Sequence, residues 1–166
     1  MGVVCGCASG PGWYAPPAQY VFDPNAEPRL VGSIALMDDA FVENYILSGV
    51  LAGDKGSPWR WANDKAELRF QLGELKPVRF IVDFVIPHST FEITGPVKMA
   101  LSLNGKQVAT MPVDKPGQQH WIVPVEAGQF DPVTPVVAKI EVNKFYQSEH
   151  DGTKLGFMLQ RAGFEQ

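Results

Sequence analysis

Ala66-Glu67-Leu68-Arg69-Phe70-Gln71-Leu72 is the stretch on which the fold class turns. Leu68, Phe70 and Leu72 fall on one side of an extended chain, with Glu67, Arg69 and Gln71 on the other. That period of two belongs to a strand with one face buried. Residues 78–86 repeat the pattern, with Phe80, Val82, Phe84 and Ile86 inward and Arg79 and Asp83 opposite. Met99, Leu101 and Leu103 continue it and run straight into Asn104-Gly105. Asn-Gly favours the left-handed backbone of a tight hairpin, so residues 106–113 are the return strand. Trp121, Val123 and Val125 alternate next, and Pro124, which has no N–H to donate, places that strand at an edge or its end. Residues 136–142 form another strand, and Leu155, Phe157 and Leu159 mark the last. Toward the start, residues 30–37 read as a first strand and 41–51 as a mixed segment. The one short helix is expected at 38–45, begun by Asp38 or Asp39. Strands recurring between turn residues predict an all-β, antiparallel β-sandwich.

The chain has 166 residues, the size of one domain. Its 14 Lys+Arg against 18 Asp+Glu give a net charge of -4, which excludes the strong positive field of a nucleic-acid binder. A composition 45% hydrophobic and 19% charged is that of a folded domain rather than a disordered chain. Residues 1–28 differ from the rest, carrying Pro11, Pro16, Pro17, Pro24 and Pro28 among several glycines. They read as a leader or tether, and residues 29–166 as a single sandwich domain. Trp13, Tyr14, Tyr20 and Phe22 imply that part of the arm lies across the domain.

Both cysteines, Cys5 and Cys7, lie in this leader. One intervening residue is too few for an unstrained disulfide, and no second cysteine pair or nearby His completes a zinc set, the nearest histidine being His88. Val4-Cys5-Gly6-Cys7 resembles the end of a bacterial lipoprotein signal, which implies lipidation at Cys7 and a tether over residues 8–12. The basic and apolar stretches of such a signal are missing before it. The other reading is a leader with two incidental thiols. No run of apolar residues is long enough for a membrane-spanning helix, so membrane association would require the anchor at Cys7.

Catalytic signatures are lacking. His88, His120 and His150 are the only histidines, and no nucleophile elbow, zincin, phosphate-loop or dinucleotide pattern accompanies them. Adjacent residues of an extended Glu149-His150-Asp151 point to opposite sides, which suits a solvated loop better than a metal or acid–base cluster. Asp38, Asp39 and Asp131 offer oxygen without calcium-loop spacing. The expectation is therefore no catalytic residue, no cofactor and no metal.

Residues 54–64 carry more information. In an extended Trp59-Arg60-Trp61 both indoles face one side and Arg60 the other. Paired indoles make a flat apolar platform for the C–H face of a sugar ring; alternatively, one or both are core, with Arg60 reaching a carboxylate. Gly49, Gly56, Trp59-Arg60-Trp61 and then Ala66-x-Leu68-x-Phe70, with Leu103-Asn104-Gly105 and Asp151-x-x-x-Leu155-Gly156 further on, resemble a family of modules. These are jelly-roll, galactose-binding-like sandwiches found beside bacterial glycosyltransferases and surface-polysaccharide proteins. The resemblance spans residues 31–164. It implies that fold and an extracytoplasmic or glycan-linked setting. Asp54 stands where the module commonly has an acidic residue; Thr153 and Lys154 stand where it often has an arginine.

Arg60 and Asp151 are expected to pair, a fork-shaped guanidinium matching a carboxylate. The candidate ligand-binding set is thus Trp59, Arg60, Trp61, Asp64 and Asp151, with Tyr146, Glu149 and His150 completing a cleft at the same end. The expectation is a non-catalytic cell-envelope module that binds glycan or supports surface-polysaccharide assembly, with a glycan as the partner. The alternative is a structural lipoprotein domain that presents a face to an envelope protein.

Overall fold

The computed structural model describes residues 32–54, 56–126, 128–131 and 133–166. The leader, its aromatic residues and Cys7 lie outside them.

Two leaves of antiparallel strands face each other. The first holds β2 (Ile46–Val50), β3 (Arg60–Phe70), β8 (Val136–Val142), β5 (Val97–Leu103) and β6 (Lys106–Val113), in that order. The second holds β1 (Ile34–Leu36), β11 (Phe157–Glu165), β4 (Arg79–Ile86) and β7 (Gly117–Pro124). β11 also pairs with β3 along Arg60–Leu159 to Ala62–Phe157, so the leaves share hydrogen bonds at one end and splay apart beyond it. A short hairpin, β9 (Tyr146–Gln147) and β10 (Lys154–Leu155), stands apart from both.

The alternation read from sequence is the packing rule observed. Leu68, Phe70, Phe80, Phe84, Met99, Leu101, Ile140, Phe157 and Phe164 are fully buried. Phe70 of one leaf meets Phe80 and Phe164 of the other edge-to-face, with centroids 5.7 and 5.6 Å apart. The Asn104-Gly105 hairpin has positive φ at both residues (47° and 79°), as its turn type demands. Pro124 is the last residue of β7, an edge strand.

Three local expectations are corrected. The first strand covers only Ile34–Leu36 of the described residues. Residues 38–45 hold one turn of 3-10 helix at Val42–Asn44, begun where Asp39 accepts the Phe41 amide at 2.8 Å. This segment seals the gap where the leaves diverge, with Met37, Val42 and Tyr45 buried. The single α-helix among the described residues, α1, is instead His88–Thr94. Only Thr90 of its residues is buried, so no apolar periodicity announced it. Gly95, at φ 63°, stops α1, and Lys144 Nζ donates to the carbonyls of Thr94 (3.1 Å) and Pro96 (2.9 Å).

Candidate functional site

The strand directions put the connections 51–59, 87–96, 114–116 and 143–156 at one end of the sandwich. Both halves of the sequence-derived set therefore share that end, although they form two separate groups.

Arg60 and Trp61 open β3, and Trp59 stands immediately before it. Strand alternation turns Arg60 inward, where it is 8% exposed, and turns both indoles outward. Neither tryptophan belongs to the core: Trp61 is half-buried and Trp59 is 37% exposed. The indoles do not form a flat platform. Their planes stand at 84° with centroids 6.5 Å apart, the edge-to-face arrangement that aromatic quadrupoles favour. The pair is a corner, one ring a floor and the other a wall.

Residues 52–54 and Ser57 lie beside this corner. A cavity of about 170 Å³ is lined by Ala52, Gly53, Asp54, Ser57, Trp59, Arg60 and Trp61. At about 30 Å³ per water, that volume holds five or six waters, the scale of one six-membered ring. Ser57 Oγ donates to the Trp59 carbonyl at 2.9 Å, which fixes the loop against the strand. The α-carbon of Gly53 packs on the Arg60 stem so closely that a Cβ there would lie 3.0 Å from Cγ.

Arg60 does not reach Asp151. Its Nη1 pairs with Glu43, carried on the 3-10 turn between β1 and β2, and its Nε is buried with no partner among the described residues. The reason is directional: an inward Arg60 points toward the sealing segment, whereas Asp151 lies in the exposed tip of the β9–β10 hairpin. There Asp151 Oδ1 accepts the Thr153 amide at 3.0 Å.

That hairpin forms the second group. Asp64 accepts from Lys154 Nζ at 3.1 Å, and the same ammonium lies 4.8 Å from the Phe145 ring centroid. Tyr146 is half-buried in β9, while Glu149 and His150 are exposed at the tip. Gly156 anchors the hairpin: its N–H donates to the Ala62 carbonyl at 2.8 Å, and a Cβ would meet the Asn63 carbonyl at 2.5 Å. None of Tyr146, Glu149, His150 or Asp151 lines the cavity at the indoles.

Hydrogen bonds from the Thr153 amide, the Thr153 hydroxyl and Ser148 hold the Asp151 carboxyl below the usual aspartate range. A lowered folded value means that the turn is favoured while Asp151 is ionised and loosens as pH falls through that lowered value. The Thr153 amide proton is expected to titrate with a midpoint below that of an ordinary aspartate, read by amide chemical shift. A midpoint at or above the ordinary value would contradict the hydrogen-bonded turn.

The remaining candidates are placed by similar contacts. His88, His120 and His150 are all exposed, each in a different element. His120 pairs with Asp83, which also accepts Arg161 Nε at 2.7 Å, so this histidine belongs to a cross-strand ladder of polar side chains. Asp131 directs its carboxylate to the Val133 amide (2.8 Å) and the Thr134 hydroxyl (3.1 Å). Among the described residues, no three His, Cys, Asp or Glu side chains converge as a metal site. A larger open groove of about 1080 Å³ lies at the opposite end, lined by Leu75, Pro77, Phe130 and Val133 with Gly73, Glu74, Lys76 and Gly128. It has bulk but no paired aromatic walls, so the smaller indole cavity is the better defined site.

The chain matches no protein-family model and no curated protein. The solved structures to which it is similar include carbohydrate-binding modules. A family 35 module from Clostridium thermocellum is 12% identical, covers 78% of this chain and 93% of its own, and has a TM-score of 0.44. A family 35 module in complex with a glucuronic-acid-containing disaccharide is 12% identical at TM-score 0.45, over 81% of this chain and 93% of its own. A family 51 module from Clostridium perfringens, in complex with methyl-galactose, is 16% identical at TM-score 0.34, over 83% and 94%.

Proposed function

We propose that the protein is a non-catalytic β-sandwich module of the cell envelope that binds glycan. In this reading the ligand enters at the corner formed by Trp59 and Trp61. The observation that supports it most is that corner itself: two outward indoles at 84°, closing a cavity of about 170 Å³ with Arg60, Asp54 and Ser57 in its lining. A pyranose has one face rich in C–H and an equatorial belt of hydroxyls. An indole floor removes the apolar face from water, and polar groups at the rim orient the belt. A corner rather than a plane favours one ring, or the end of a chain, over a long segment laid flat.

Non-catalytic binding agrees with the exposed, scattered histidines. Asp64, Tyr146, Glu149, His150 and Asp151 then serve as an outer rim, reaching parts of a longer glycan beyond the first ring. An extracytoplasmic place, with Cys7 as lipid anchor, belongs to the same proposal.

The test is a glycan array probed with the protein and with a Trp59→Ala/Trp61→Ala double variant, each checked for folding by near-UV circular dichroism and thermal unfolding. Binding is expected to weaken at least about tenfold in a variant that still folds, as when a central aromatic anchor is truncated. A folded protein that retains no glycan overturns the reading and favours the alternative, an interaction domain with a protein partner.

A further inference from the structure

We propose that Glu43 sets the charge class of ligand at the indole corner. By occupying the Arg60 guanidinium it makes the cavity select neutral sugar rings and reject carboxylate-bearing ones. This rests on the glycan-binding reading and deepens it.

Arg60 is the one cation among the described residues that line the cavity. It is 8% exposed, so its guanidinium has a fixed position and little water of its own. A buried guanidinium of this kind is a strong site for a carboxylate, because its planar fork is pre-organised and its charge poorly screened. Here that capacity is already used: Glu43 takes Nη1. The occupation is incomplete, since Nε is buried and lacks an acceptor among the described residues. A donor left in that condition still attracts an acceptor.

Glu43 suits the role of a built-in competitor. It belongs neither to β3 nor to residues 52–54, but arrives from the 3-10 turn of the sealing segment. Its side chain is 67% exposed against 9% for Arg60, so replacing its carboxylate leaves the buried guanidinium as the unpaired charge, which then favours an outside acceptor. Glu43 does not line the cavity but neutralises Arg60 from the sealing turn, which leaves Asp54 as the one described lining charge without an ion-pair partner among the described residues. A ring bearing a carboxylate meets that negative charge and must displace Glu43 to reach the guanidinium. A neutral ring needs neither step, because the indole walls act on its C–H face whatever the charge nearby. Discrimination thus comes from a repulsive element placed beside an attractive one.

The experiment uses the full chain and its Glu43→Gln variant. Both are titrated with the methyl glycosides of glucose, galactose and mannose and with the matching methyl uronides, followed by tryptophan fluorescence. Sodium acetate is titrated separately, followed by the NMR resonance of the Arg60 Nε–Hε group. The native chain is expected to prefer the neutral ring of a matched pair by on the order of tenfold, and the variant to lose that preference by gaining affinity for the uronide. Acetate is expected to shift the Arg60 resonance saturably in the variant and to leave it unmoved in the native chain. An unchanged neutral-to-uronide ratio, or an Arg60 resonance indifferent to acetate in both proteins, overturns the proposal. If no sugar binds either protein, the glycan reading fails, while the acetate titration still decides the role of Glu43. Should Glu43→Gln fail to fold, Glu43→Asp, which withdraws the carboxylate by one methylene, is expected to shift the ratio part of the way; no shift overturns it.

Discussion

Gly49→Ala is expected to be among the most destabilising single substitutions in the chain, costing on the order of 3–5 kcal/mol, the range reserved for a broken structural device rather than a lost contact. Gly49 sits in β2 at φ 73°. Left-handed backbone alone costs an alanine about 1–2 kcal/mol. The larger contribution is steric: a Cβ at Gly49 would lie 1.6 Å from the Lys65 carbonyl oxygen and 3.2 Å from the Ala66 Cα. No rotation relieves that overlap, because both partners are backbone. The close approach follows from the register, which advances from Ser48↔Glu67 to Val50↔Ala62, so that β3 bulges past β2 at this glycine.

Relieving the overlap means separating β2 from β3. That would unseat the sealing turn that carries Glu43, so stability and the Arg60 pairing would fall together. Gly56→Ala is the control, for Gly56 has a similar φ of 80° but nothing within 4 Å of its would-be Cβ. It is expected to cost only the conformational share, about 1 kcal/mol. Urea unfolding of the two variants separates strain from overlap. Equal losses would show that β2 does not lie against Lys65 as described.

The same two glycines show how much of this molecule was legible beforehand. Gly49 and Gly56 belong to the pattern ahead of Trp59-Arg60-Trp61 that carries the resemblance, and the structure gives each a positive φ. Their order in the chain was visible; that one presses on a carbonyl and the other faces open space was not. Strands were legible wherever one face is buried, because burial writes a period of two: β3, β4, β5 and β8 lie close to where alternation put them. α1 was not, since a helix with one buried residue carries no period of 3.6. The sealing segment was read as a helix from its capping residues, but tertiary closure between diverging leaves shaped it into a single turn.

At the site, i and i+2 on a strand sufficed to place both indoles on one face. The angle between them depends on side-chain rotamers and escaped the pattern. The partner of Arg60 escaped it for a different reason. Asp151 was chosen because both residues lie at strand ends, yet an inward guanidinium answers to whatever crosses the core rim at that level. Here that is Glu43, seventeen positions earlier in the chain. Ion pairs between distant segments depend on the path of the connecting loop, which alternation does not encode.

Phe70→Ala tests the core on which the site is built. Phe70 is fully buried at the end of β3 and contacts rings from three other segments: Tyr45 at 5.9 Å, Phe80 at 5.7 Å and Phe164 at 5.6 Å between centroids. Truncation removes the ring's burial and leaves a cavity between leaves that strand hydrogen bonds prevent from collapsing, so the expected loss is about 3–5 kcal/mol. Phe70→Leu restores most of the volume but none of the edge-to-face pairing, and should cost about 1–2 kcal/mol. Phe130→Ala, at the rim of the same cluster against Phe164, should cost less than Phe70→Ala because Phe130 is only partly buried. The measurement is urea unfolding of all three, with an unchanged slope showing that native and unfolded states keep their compactness. A loss below about 1 kcal/mol for Phe70→Ala is incompatible with a fully buried ring joining the two leaves. Since Phe70 and Arg60 are opposite ends of one strand, the same variants also ask how far the corner depends on the core: with packing intact at Arg60, Phe70→Leu should fold and keep any glycan affinity.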